Sequence, residues 1–480
     1  MLADKDRNYC KLEDVRADIQ NKIISVEELV STYISRIKQH ADLNAFIEVF
    51  EEEALQKASI VQQKILDGTA GKLAGMVIGL KDNISYKGHK LSASSKILDG
   101  YVAVYSSTVV ERILAEDAII IGRLNCDEFA MGASNETSYF GPVKNFADKT
   151  KVSGGSSGGS AVAVQAGLCL ASLGSDTGGS IRQPSAFCGT IGLKPTYARV
   201  SRHGIVAYAS SFDQIGPITR SVEDAALLLE VIAGKDNYDS TLSAKPVPAY
   251  SKNLVVNQGV KRIAYLEETL NSEGLDPEIK ANVLQQIQKL KAEGHSVEPV
   301  SFEYLDYVVA TYYILTTAEA SSNLARFDGV HYGYRSDSAK DLISTYKYSR
   351  SEGFGDEVKR RVMLGTFVLS AGYYDAYYSR AQKVRRLIKE RVESILNEYD
   401  FILMPTTPTP AFDIGSKITD PVVMYLADIF TVVASLAGLP AISLPSGTNN
   451  AGLPLGIQII GKHFEEEKLL SFSKYFTALP

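Results

Sequence analysis

Ser153-Gly154-Gly155-Ser156-Ser157-Gly158-Gly159-Ser160 opens a stretch that closes with Gly174-Ser175-Asp176-Thr177-Gly178-Gly179-Ser180. Between the two ends, Ala161 to Leu173 is apolar enough for a helix and a buried strand. A flexible Gly/Ser linker would not enclose such a run. Paired glycines instead permit backbone conformations closed to other residues and let main-chain N–H groups point inward. That is how a chain builds a site for an anion or an oxyanion.

On either side of this stretch, short apolar runs alternate with helical patterns. Met76 to Leu80 and Ala118 to Gly122 read as buried strands, with a helix from about Ser107 to Ala115 between them. Downstream come Arg262 to Leu266, a helix near Pro277 to Ala292, and Ser296 to Val300. Strand–helix–strand repetition of this kind predicts an α/β layered sheet. The first 70 residues read as helical, with a Ser25-Val26-Glu27-Glu28 capping pattern before Leu29 to Ile37 and a second helix from Glu51 to Leu66 that stops at Gly68. A long helical section runs from about Tyr304 to Tyr399. Phe401 to Met404 and Ala441 to Leu444 then return to strands, and neither buries itself alone, so both rejoin the same sheet. The expected architecture is a helical segment over residues 1–70 packed on one α/β domain over 71–480, whose mixed central sheet has helices on both faces.

The chain has 480 residues, 45% hydrophobic and 22% charged, which excludes a disordered or fibrous protein for most of its length. Length alone allows about three domains. No run of about 18 apolar residues is present, so no membrane-spanning helix is expected. The start, Met1 to Arg7, is polar and lacks the apolar core of a signal peptide. Lys and Arg total 50 against 56 Asp and Glu, a net charge of −6. That balance argues against this chain alone gripping a polyanion such as tRNA. Cys10, Cys126, Cys169 and Cys188 show no CxxC spacing and read as reduced, buried thiols of a cytoplasmic protein, with no metal site.

Two chemistries use inward-pointing amides. Phosphate binding is one, but GxxxxGK[ST] and GxGxxG are both absent. Acyl transfer beside a serine nucleophile is the other. Here Gly154-Gly155-Ser156-Ser157-Gly158 only approximates the GxSxG elbow. A nucleophilic serine needs a base. Of His40, His89, His203, His295, His331 and His463 none sits in a catalytic pattern, and His203, the nearest, reads as a solvated loop residue. A lysine whose pKa is lowered by burial is the alternative. Lys81 follows the apolar run Met76 to Leu80 and precedes Asp82-Asn83. On the residues alone, it reads either as such a base or as half of a buried ion pair.

Taken together, Gly79-Leu80-Lys81-Asp82-Asn83, the GGSSGGS run from Gly154 and Asp176-Thr177-Gly178-Gly179-Ser180-Ile181-Arg182-Gln183-Pro184 resemble the amidase signature family. The resemblance implies that family's fold and a Lys–Ser–Ser triad. Lys81 would be the base, Ser156 a relay after a cis peptide bond, and Ser180 the nucleophile. The amides of Thr177, Gly178, Gly179 and Ser180 would hold the oxyanion, and Asp176 with Arg182 would brace the turn.

Within the family the similarity is to the glutaminase subunits of the amidotransferases that act on Glu-tRNA(Gln) and Asp-tRNA(Asn). It is carried by Asp127 to Gly132, Lys194 to Tyr197, Ser210 to Gln214, Val358 to Thr366 and Asp428 to Thr431. It implies glutamine as ammonia donor, held by Arg361 (with Arg360 adjacent) and Asp428. It also implies an ATP- and Mg-using, tRNA-binding partner subunit fed with ammonia through an internal channel, and a small third subunit. No cofactor is expected in this chain. The alternatives are a stand-alone amidase of the same family, or an inactive scaffold subunit. Phe146 stands at a usual Pro, Ala198 at a usual Gly, Phe212 at a usual Leu and Ala133 at a common Ser. None of these departures touches the triad. A site drawing on Lys81, Ser180 and Asp428 needs one core, which favours one large domain over three.

Overall fold

The computed structural model describes residues 7–255, 259–416 and 421–479; the polar start Met1 to Asp6 lies outside them. Among the described residues eleven strands join in one sheet. They are β1 (Phe46–Val49), β2 (Val77–Lys81), β3 (Ile119–Leu124), β4 (Ala171–Asp176), β5 (Ile191–Lys194), β6 (Gln214–Thr219), β7 (Arg262–Leu266), β8 (Ser296–Val300), β9 (Phe401–Pro405), β10 (Ala441–Thr448) and β11 (Pro454–Ile460). Their order across the sheet is β1-β3-β2-β4-β6-β5-β10-β11-β9-β7-β8. β2 runs parallel to β3 and β4, and β7 runs parallel to β8 and β9. The central strands, β4 to β11 across the middle, pair antiparallel. The sheet is therefore mixed, as expected. Helices pack against it, and one continuous apolar core runs from Tyr9 through to Phe476.

Local chemistry accounts for the elements. Ser25 Oγ accepts from Glu28 N–H while Glu28 Oε2 accepts from Ser25 N–H, so the helix Val26–Gln39 starts on a full capping box. The helix Pro277–Ala292 has Asp276 as its cap and Pro277 in its first turn. The helix Glu51–Leu66 ends just before Gly68, whose φ of +69° suits a residue without Cβ.

Three features differ from the sequence-based expectation. Residues 1–70 are not all helical, because Phe46–Val49 adds an antiparallel edge strand beside β3. Strands β5, β6 and β11 carry Gly or Pro inside apolar runs, which hid them. The section from Tyr304 to Tyr399 is broken into Leu305–Asn323, Leu342–Gly353, Asp356–Val368 and Arg380–Glu398, with a π-helical turn at Tyr374–Ser379.

The topology positions a site at one sheet edge. β2 and β4 are parallel neighbours, so their carboxyl ends, with Lys81 and Asp176, emerge together. In open α/β sheets this is where ligands bind. Among the described residues no helix is long and apolar enough to cross a membrane.

Candidate active site

Lys81 ends a strand with every residue buried, and its own side chain is fully buried. Its Nζ lies 2.6 Å from Ser156 Oγ, 2.9 Å from Ser157 Oγ and 3.0 Å from Ser175 Oγ. An ammonium can donate to all three. Burial lowers its pKa to about 8, while the carboxylates of Asp127, Asp176 and Asp213 keep it from falling further. The free amine has only two protons, so one hydroxyl must then donate to nitrogen. Ser157 Oγ already donates to the Ser175 carbonyl at 3.1 Å, and Ser175 Oγ also accepts from Asn83 Nδ2 at 2.9 Å. Ser156, at the shortest distance, is the hydroxyl best placed to donate.

The Gly155–Ser156 peptide is cis. This segment is packed closely: a Cβ on Gly155 would lie 1.9 Å from Asp127 Oδ2. Asp127 is fully buried, accepts from Asn135 N–H and the Thr137 hydroxyl, and donates its own N–H to the Ser156 carbonyl at 3.1 Å. Ser157 N–H donates to the Ser180 carbonyl at 3.1 Å, which ties the two Gly/Ser ends together.

Ser180 is 8% exposed, against none for Lys81 and Ser156, so it is the member of the set that meets the outside. Its hydroxyl makes no hydrogen bond among the described residues, and the contact to Ser156 Oγ is not formed here. Nor do the amides of Thr177, Gly178, Gly179 and Ser180 donate to any acceptor in the described residues. Four consecutive unspent donors thus surround the serine. Gly179 has φ +152°, and a Cβ there would lie 2.2 Å from Thr431 Oγ1.

The turn is fixed from behind. Asp176 takes Arg182 Nε at 3.0 Å and Nη2 at 2.9 Å, both side chains fully buried. Burial alone would raise the Asp176 carboxyl, but Arg182 holds it below the usual carboxylate range. Arg182 Nη1 also donates to the Thr431 carbonyl and to Gln458 Oε1. Thr177 Oγ1 donates to Asp213 at 2.6 Å, and burial pushes the Asp213 carboxyl up to about 7.

Arg360 points outward to Glu357, whereas Arg361 is 3% exposed. Its Nε donates to Glu357 at 2.8 Å and Nη1 to Tyr208 Oη at 3.0 Å, leaving Nη2 unspent among the described residues. The guanidinium sits 5.1–5.5 Å from the rings of Tyr313, Tyr425 and Tyr208, a cage that favours a cation. Asp428 accepts from Tyr313 Oη at 3.3 Å. Burial pushes its carboxyl up to about 7, against the pull of Arg361. Tyr312 faces the Ser180 turn: a Cβ on Gly178 would lie 2.5 Å from its hydroxyl.

Sequence reading missed these tyrosines, together with Ser157, Ser175, Asn83 and Thr431. Ser157 and Ser175 lay inside the quoted motif and carried a signal; the tyrosines, scattered among 26, carried none. His203 is stacked between Tyr105 and Tyr238 in a loop. Cys126, Cys169 and Cys188 are buried but Cys10 is exposed, contrary to the reading of all four as buried; all four are free. Among the described residues no cluster of His, Cys, Asp and Glu is arranged to hold a metal ion.

A family model described as Amidase matches residues 28–470. The chain is 52% identical over 469 residues to the A subunit of a glutamyl-tRNA(Gln) amidotransferase from Chlorobium luteolum, covering 97% of this chain and 96% of the relative. The crystal structure of the subunit of the same name from Thermotoga maritima superposes with a TM-score of 0.76 at 40% identity, over 94% of this chain and 91% of that one. A peptide amidase from Stenotrophomonas maltophilia superposes with a TM-score of 0.81 at 28% identity, over 96% and 95%. With a family model matched over residues 28–470 and likeness to relatives over nearly its full length, this chain belongs to the amidase signature family.

Proposed function

We propose that the chain is the glutamine-hydrolysing subunit of a glutamyl-tRNA(Gln) amidotransferase, a carbon–nitrogen ligase that uses glutamine as amido donor. The observation that carries this reading is Arg361 and Asp428, both buried and joined through Tyr313, beside the Ser180 turn. Glutamine bears one α-carboxylate and one α-ammonium, and Arg361 and Asp428 offer one group of each sign. A stand-alone amidase for neutral amides has no use for that pair. The names of the relatives support the acceptor.

In the first step Ser180 Oγ attacks the side-chain amide carbon of glutamine. Its proton passes to Ser156 Oγ as the Ser156 proton passes to the free amine of Lys81. The carbonyl oxygen becomes an oxyanion and takes the Thr177–Ser180 amides, each worth about 3–4 kcal/mol if removed. Collapse expels the amide nitrogen, which receives the proton held on Lys81 through Ser156 and leaves as ammonia. A γ-glutamyl ester remains on Ser180. Water, deprotonated along the same path, then releases glutamate and restores Ser180.

Ammonia is useful only if it reaches its acceptor unprotonated, so the chain works with a partner that activates the tRNA-bound carboxylate with ATP and Mg, and with a small third subunit, in the cytoplasm. The net charge of −6 fits a tRNA gripped mainly by that partner.

The test is glutamate release by the chain alone and with its partners, wild type against Ser180→Ala. The variant is expected to lose about four orders of magnitude in kcat. No glutamate release by wild type in either setting, with other amides cleaved, would sink the reading.

A further inference from the structure

Glu128 belongs to the stretch Asp127 to Gly132, and the chemistry above leaves it without a role. It is 2% exposed, and a carboxylate so buried is costly unless its lone pairs are taken up. Oε1 accepts from the Ser95 hydroxyl and, at 3.1 Å, from Gly355 N–H; Oε2 accepts from the same N–H at 2.9 Å. Gly355 is the cap residue of the helix Asp356–Val368, and no local side chain caps that helix. Glu128 supplies the cap from across the fold; burial pushes its carboxyl up to about 7, and its ionised form also suits the helix dipole. The approach is close: a Cβ on Gly355 would lie 2.3 Å from Glu128 Oε2.

This helix carries Arg361 and its partner Glu357. On the other side of the dipeptide, Asp127 N–H holds the Ser156 carbonyl at 3.1 Å. Asp127-Glu128 therefore links the serine segment to the helix that brings Arg361.

We propose that Glu128 is a positioning residue for glutamine: by capping the helix Asp356–Val368 it sets where Arg361 meets the α-carboxylate relative to Ser180. This rests on the reading of Arg361 as the carboxylate ligand. Glu128 touches no substrate. Its effect is expected in KM, through Arg361.

The experiment is steady-state glutaminase kinetics on the full chain with its partners. Glu128→Ala is expected to raise KM for glutamine about tenfold with kcat within about twofold. Glu128→Gln keeps an acceptor for Gly355 N–H, so its KM stays within about threefold of wild type. Gly355→Ala disturbs the same contact from the helix side and reproduces the KM rise with Glu128 intact. In an Arg361→Ala background, Glu128→Ala adds no further rise.

A loss of kcat at unchanged KM, an unchanged KM in Gly355→Ala, or an equal KM rise in the Arg361→Ala background overturns the proposal. If Arg361→Ala raises KM while Glu128→Ala does not, only this proposal falls. If Arg361→Ala leaves KM unchanged, the ligand reading fails and takes the proposal with it.

Discussion

In the proposed reaction, two buried ionisable groups, Lys81 and Asp428, act only when deprotonated. Below about pH 7 Asp428 is a neutral acid and cannot pair with an α-ammonium; below about pH 8 Lys81 is an ammonium and cannot accept a proton. Both effects have the same sign. kcat/KM for glutamine hydrolysis is therefore expected to climb with pH, most steeply below 7, and to level off above about 8. Asp428→Asn should raise KM about 10- to 100-fold, the worth of a charge-assisted contact, and remove the lower of the two limbs. A flat profile between pH 6 and 8, measured by glutamate release, contradicts this assignment. At this scale the sequence was informative where chemistry demands a rare local pattern. Lys81, Ser156 and Ser180 sit in glycine-bound motifs, whereas Tyr208, Tyr312, Tyr313 and Tyr425 are ordinary residues that only the fold assembles.

The elements show why some were legible and others not. Thr108–Ala115 and Pro277–Ala292 have capping side chains, Glu51–Leu66 has a Gly68 stop, and the apolar periodicity of all three agrees with the final helix. β6 reads Gln214-Ile215-Gly216-Pro217-Ile218-Thr219, and its central Gly and Pro argue against a strand until β4 and β5 flank it. The turn after β5 holds a different conflict. Ala198 has φ +71°, a conformation that favours glycine. The left-handed penalty is about 1–2 kcal/mol, offset by about 0.4–1 kcal/mol of extra unfolded-chain entropy for glycine. Ala198→Gly is thus expected to stabilise the chain by about 0.5–1 kcal/mol, read as a higher urea midpoint at an unchanged m-value. A lower midpoint would show that the alanine methyl contributes more by packing than it costs in strain.

Across the whole molecule, the order of strands carries a message that no single strand does. Within the sheet, β1 to β6 form one flank and β7 to β9 the other, and the β10–β11 hairpin is the only strand pairing that joins them among the described residues. The same hairpin delivers Gln458 to Arg182, behind the Ser180 turn. Because a single core crosses this join, calorimetry is expected to give one unfolding endotherm for the intact chain. Two separated endotherms would mean that the flanks are independent folding units. The hairpin also has a consequence for synthesis. A nascent chain that has left the ribosome through β9 possesses Lys81, Ser156, Ser180 and Arg361, yet it lacks the hairpin that joins its two flanks within the sheet. Gln458, one of the partners that hold Arg182 behind the Ser180 turn, arrives with β11, so glutamine hydrolysis should switch on late in translation. An incomplete chain would then release no stray ammonia before its partners can take it up.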